Sequence, residues 1–237
     1  MKSLKRVLVV VMLSAFGIVG MAQETQPAAQ QQNSNAAFVS HYYKTYLLAQ
    51  RYGDSNNAIN ALYNVLAEYP QNDSLLYTLS FLYFQKGNNA QAVLVSQDLL
   101  KVKPGHLGAL EICATGYENL GVKDKALDAY ESLYLKSSDF QSLYKVAFLQ
   151  YDLKRYTECQ TNADILLKKT EADSLSVFFT DDNNEEKEFP IKVAIHNLKG
   201  LTSQAQGDKA SAKKHFEAAL AISPDFFVAK KNLEGLK

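Results

Sequence analysis

Apolar residues recur at helical spacing along most of the chain. Phe81, Leu82 and Phe84 run up to Gly87, and Ala92, Val93, Val95, Leu99 and Leu100 run up to Pro104. Apolar positions three and four residues apart put one stripe along a helix, and Gly and then Pro mark where helices stop. The unit is therefore helix, Gly turn, helix, Pro or polar stop. It repeats: Gly53, Gly87 and Gly121 are 34 residues apart, as are Ala58, Ala92 and Ala126, and Pro70 and Pro104. A period of this length predicts stacked helical hairpins, each burying its apolar face on its neighbours. Ala126 to Cys159 is one residue short of the period, and Cys159 to Ala212 exceeds it by 19. The extra stretch, 173–191, changes periodicity. Leu175, Val177 and Phe179 alternate with polar residues, Asp181, Asp182, Asn183 and Asn184 form a turn cluster, and Phe189 and Ile191 alternate around Pro190. This predicts a short β-hairpin with an acidic tip, Pro190 confining its second strand to an edge.

Taking Ala58, Ala92, Ala126, Cys159 and Ala212 as anchors, the residues twelve before them are Tyr46, Ser80, Ala114, Ala147 and Gly200. Mostly small side chains there let two helices approach within about 8–10 Å. Large residues such as Leu62, Tyr130 and Phe216 follow the anchors by four, and Pro70, Pro104 and Pro224 by twelve. These markers resemble the tetratricopeptide repeat (TPR) family over roughly residues 39–237, and the segment from Gly200 to Pro224 resembles it best. Repeat four departs, with Lys154 for Gly and Cys159 for Ala. Repeat one departs at Tyr46, where a crossing shifted by one turn to Leu48, Ala49 and Tyr52 fits equally. The resemblance implies an all-α, right-handed α-solenoid of about five helix pairs, with repeats at about 39–72, 73–106, 107–139, 140–172 and 193–226. The hairpin precedes the last repeat, and a capping helix at about 226–237 covers the final open face.

The N-terminus reads differently. Lys2, Lys5 and Arg6 precede an uncharged apolar run, Val7 to Val19, followed by Gly20, Met21 and Ala22. A basic end, an apolar middle and small residues form the layout of a secretory signal peptide, residues 1–22, cut after Ala22. The run is shorter than the ~20 residues of a membrane-spanning helix. Residues 23–37, Gln/Asn-rich and poor in apolar bulk, read as a flexible spacer. An exported protein of the bacterial envelope, periplasmic or secreted, is expected, and the chain resembles exported TPR proteins of Bacteroides-type bacteria.

Charge narrows the partners. Lys and Arg number 25, as do Asp and Glu, and no basic tract replaces the counterions of a nucleic acid. His41, His106, His196 and His215 do not pair at helical spacing. No Zn, phosphate-loop, dinucleotide or nucleophile-elbow motif is present, so neither metal nor cofactor is expected. Cys113 and Cys159 fall at core positions, where thiols are inert, and the carboxylates at 181–188 read as a solvated tip. The expectation is a protein that is not an enzyme.

The resemblance also implies a site. Residues fifteen, eleven and eight before each anchor line the family's concave groove: Tyr43, Leu47 and Gln50; Tyr77, Phe81 and Phe84; Glu111, Thr115 and Glu118; Tyr144, Phe148 and Tyr151; Asn197, Leu201 and Gln204. Lys and Arg, which clamp carboxylates in the family's chaperone-binding members, are absent from these positions. Seven aromatic residues there either form an exposed interaction surface, or fill gaps between neighbouring first helices. The expected function is a non-catalytic protein-interaction scaffold that inserts partner side chains between Tyr43, Tyr77, Phe81, Phe84, Tyr144, Phe148 and Tyr151. Glu111, Glu118 and Gln85 would set orientation. A glycan- or envelope-polymer-binding module, stacking sugars on the same rings, is the alternative.

Overall fold

The computed structural model describes residues 28–236. The signal-peptide reading of residues 1–22 lies outside them. Five helical hairpins follow one another: α1 (Ala28–Arg51) with α2 (Ser55–Glu68), α3 (Asp73–Gln85) with α4 (Asn89–Val102), α5 (Leu107–Asn119) with α6 (Lys123–Ser137), α7 (Phe140–Asp152) with α8 (Tyr156–Lys168), and α9 (Ile191–Ala205) with α10 (Lys209–Ile222). Strands β1 (Ser176–Thr180) and β2 (Glu186–Pro190) interrupt the series before α9, and α11 (Phe227–Glu234) ends it. Neighbours in sequence pack on one another throughout, the order of a solenoid.

Residues 23–27 of the expected spacer lie outside the described residues; over 28–37 the flexible spacer is corrected to helix, which runs from Ala28. Ala and Gln are good helix formers and no Gly or Pro follows Pro27 in that stretch, so the helical backbone extends through a segment with little to bury. Ile191, expected to continue the second strand, instead opens α9, with Pro190 as both last strand residue and N-cap.

Local signals explain the helix ends. Side chains of Asp54, Asn72, His106, Asp139 and Asp208 accept hydrogen bonds from backbone N–H groups three residues on, at 2.8–3.2 Å. The turn within each pair needs one left-handed residue. Gly53, Gly87, Gly121 and Gly207 supply it without strain, at φ of 69–83°, and Lys154 holds the same place at 61°.

The five anchors, Ala58, Ala92, Ala126, Cys159 and Ala212, are wholly buried. So are the crossing residues Ser80, Ala114 and Ala147, and Gly200 is buried with them. A Cβ built on Gly200 would meet Cε1 of Phe216 at 2.3 Å, so only glycine fits there. In the first repeat Ala49 is buried while Tyr46 packs on the rim of the core, so the close crossing falls one turn later than the family spacing.

Polar contacts repeat with the same period. Tyr63 and Tyr83 share a hydrogen bond of 2.6 Å, Gln97 donates to Tyr117 at 2.8 Å, and Gln150 donates to Glu131 at 3.2 Å. Each stitches the second helix of one pair to the first helix of the next. Burial and the bond from Tyr63 push the Tyr83 hydroxyl up to about 12.

Hairpin and C-terminus share one core. Phe179, Phe189 and Phe226 meet edge to face with ring centroids 4.9–6.2 Å apart, and Ala212, Phe216 and Ala229 complete the cluster. α11 thereby covers the last pair.

Candidate functional site

The first helices α1, α3, α5 and α7 present the predicted face, but its aromatic residues do not share one environment. Tyr43 and Phe81 are open, 49% and 41% exposed, and Phe84 is half-buried. Tyr77 is pinned: its ring stacks on Phe81 at 6.2 Å and on His106 at 4.8 Å. It lies over Gly108, where a Cβ would come within 2.6 Å of the ring. Tyr144, Phe148 and Tyr151 pack against a core to which Ile191, Ile195 and Leu198 of α9 belong. Burial raises the hydroxyl pKa of Tyr144 and Tyr151. Both readings of the stripe are therefore realised: surface at Tyr43 and Phe81, gap-filling at Tyr77 and in α7. Asn197 is 6% exposed and accepts from Asn232 of α11 at 2.8 Å, so the face is closed at the last pair. Leu201 joins the C-terminal core, and Gln204 is exposed.

Between these ends the face is hollow. Tyr77, Phe81 and Phe84 form one wall of a cavity of about 110 Å³, with Gly108, Glu111, Ile112 and Thr115 of α5 opposite. A second cavity, of about 450 Å³, lies between α5, α6 and α7, lined by Leu107, Glu111, Thr115, Tyr130, Leu133 and Lys145 among others. Glu111 and Thr115 line both, so the two adjoin across α5 along one face, with three aromatic residues on the α3 side and a mixed lining on the α7 side.

The polar side is held by its own bonds. Glu118 accepts from the Tyr130 hydroxyl at 2.7 Å and pairs with Lys145 at 2.7 Å. The Tyr130 hydroxyl also lies 3.4 Å from that of Thr115. Burial first, and then Glu118, raise the Tyr130 pKa, so it stays a donor. Glu118, expected to orient a partner, is thus committed within the protein. Glu111 is exposed and forms no ion pair among the described residues, which leaves its carboxylate available to a partner in the groove. Gln85 is exposed at the end of α3. Position rules missed Tyr130 and Lys145. Tyr130 sits at a core position of a second helix, and Lys145 lies one residue beyond the predicted stripe; their only sequence signal was polarity on a buried face.

No group of three or more His, Cys, Asp or Glu positioned for a metal occurs among the described residues. Burial pushes the Cys113 thiol up to about 11 and raises that of Cys159, so both are poor nucleophiles. They are free and buried in separate helices. A further polar cluster joins α8, α9 and α10. His196 and His215 stack at 5.9 Å, and Lys199, its side chain 8% exposed, pairs with Asp164. The Nδ1 atom of His196 is buried without a partner.

An open groove along stacked helical hairpins defines the molecule as an α-solenoid scaffold. Tetratricopeptide repeat models match residues 49–110 and 193–226, so the chain carries tetratricopeptide repeats in those two stretches. Solved structures of similar fold agree. MamA is 16% identical with a TM-score of 0.60, over 80% of this chain and 93% of its own. YrrB, described as a TPR protein with an unusual peptide-binding site, is 12% identical with a TM-score of 0.64, over 87% and 96%. MamA 41-end from Desulfovibrio magneticus RS-1 is 14% identical with a TM-score of 0.55, over 80% and 97%. Comparison with curated protein sequences finds no match.

Proposed function

We propose that the protein is a non-catalytic interaction scaffold whose groove across α5 holds an extended segment of a partner protein. One observation carries this: the cavity walled by Tyr77, Phe81 and Phe84 adjoins the larger cavity between α5, α6 and α7 at Glu111 and Thr115. The aromatic side suits an apolar anchor residue, since exposed rings gain most from burial at an interface. The free carboxylate of Glu111 suits a cationic or amide-bearing residue beside that anchor. The peptide-binding site described for YrrB, of the same fold, supports a peptide as the ligand class. The N-terminal layout of residues 1–22 supports export, and hence a partner in the cell envelope. No helix among the described residues is long and apolar enough to cross a membrane.

The test is a selection of displayed peptides on the purified protein, followed by titration with Phe81→Ala and Glu111→Gln variants. Peptides seated in the groove bind each variant at least tenfold more weakly, while the melting temperature moves by only a few degrees. Equal binding to both variants refutes the site. Heat on titration with oligosaccharides, lost in Phe81→Ala, refutes the peptide reading in favour of a glycan.

A further inference from the structure

The hairpin inserted before the last repeat offers something the groove does not: an unprotected strand edge. Strands β1 and β2 pair antiparallel, with Val177 opposite Phe189 and Phe179 opposite Lys187. Asp181 donates to the carbonyl of Glu185 at 2.9 Å, and Ile191 donates to that of Leu175 at 2.9 Å. In an antiparallel ladder the residues that bond the partner strand alternate with residues whose groups point away. Leu175, Val177, Phe179 and Asp181 therefore bond towards β2. The N–H and C=O groups of Ser176, Phe178 and Thr180 point to the other side, and no partner for them exists among the described residues.

The two edges differ in protection. β2 reads EKEFP, with charges and a proline that discourage further pairing. β1 reads SVFFT, with no charge and no proline, and Phe178 at its centre is 62% exposed. Beside the end of β1 lies a cavity of about 580 Å³, lined by Thr180, Asp182 and α11 residues including Phe227, Val228, Lys230 and Lys231, and by no residue of β2.

We propose that the free edge of β1 is a second binding site, which takes an extended segment of a partner protein as a third strand. The segment alternates apolar residues and carries no net charge. Its backbone bonds Ser176, Phe178 and Thr180, and its inward side chains drop into the cavity against Phe227 and Val228. The uncharged edge, and a lining in which two lysines face Asp182 and Glu234, match a segment without net charge. A second copy of the chain does not fit. Its inward residues Val177 and Phe179 are already held in their own core, the latter 5.0 Å from Phe226.

The test starts from a display library of ten-residue peptides selected on the intact protein in which the groove carries Phe81→Ala. Backbone amide exchange of Phe178 and Thr180 is followed with and without a selected peptide. Strand addition slows both amides at least tenfold. Phe178→Pro removes an outward-pointing donor on the free edge, where proline leaves the β1–β2 bonds in place, and binding drops at least tenfold, whereas Phe178→Ala, which keeps the donor, loses less. N-methylation along the peptide provides a readout free of any effect on the protein's folding: every second amide is essential and those between are not. The proposal is overturned if no peptide is selected, if selected peptides leave the two amides unchanged, or if N-methylation shows no period of two. It is equally overturned if the amides slow without peptide as protein concentration rises, since the edge is then taken by a second copy.

Discussion

Lys154 holds at φ 61° the turn position that glycine fills in the other four pairs. A side chain there costs about 1 kcal/mol or more relative to glycine, partly offset by glycine's greater freedom when unfolded. Lys154→Gly is expected to raise stability by about 0.5–1 kcal/mol, read from denaturant midpoints, with no change in the groove. Gly200 gives the opposite result. Gly200→Ala drives a methyl group into the ring of Phe216, and overpacking of this kind costs about 1–3 kcal/mol. Gly105→Ala, with open space around the new atom and no left-handed backbone, serves as the neutral control. Ala126, fully buried at its crossing, behaves like Gly200: Ala126→Leu is expected to cost about 1–3 kcal/mol.

At the scale of elements, the joint between α8, α9 and α10 makes stability depend on pH. Burial and Lys199 lower the pKa of both histidines, that of His215 to about 4, with Lys192 adding at His196 and Lys214 at His215, while Asp164 opposes the shift. A lowered folded pKa means that the unfolded chain takes up protons first. Stability is therefore complete above about pH 6.5 and is lost as pH falls from there towards 4. Asp54, Asp73, Asp181 and Asp208 are lowered by their own hydrogen bonds, so their contributions fade only in more acid solution. The melting temperature of wild type should decline between pH 7 and 4.5, and that of His215→Gln should decline less. Equal slopes would exclude the histidine pair as the cause. The hairpins, their turns and the insertion were legible in the sequence because each rests on local signals: helical spacing, Gly at the turn, Pro after the second helix, a switch to alternation. The start of α1 was not, because composition alone cannot separate a soluble helix from a spacer. The fate of Tyr144, Phe148 and Tyr151 was not legible either. It depends on α9, whose Ile191, Ile195 and Leu198 share a core with those rings and whose position no local pattern announces.

Across the whole molecule, the groove is short because both its limits are built in. α11 closes the last pair through Asn232 and Asn197, and the fourth pair's rings are covered by α9. What stays open runs from α1 and α3 across α5 to the entrance of α7. Glu111 is a free charge there, and Glu118 is paired with Lys145 and accepts a hydrogen bond from Tyr130. Amide and side-chain chemical shifts, followed during titration with a groove-selected peptide, test this directly. The largest changes should fall on Phe81, Phe84, Glu111 and Thr115, with Tyr144, Phe148 and Asn197 unmoved. Changes centred on α7 and α9, or spread evenly over the surface, would contradict the assignment of the groove to repeats two and three.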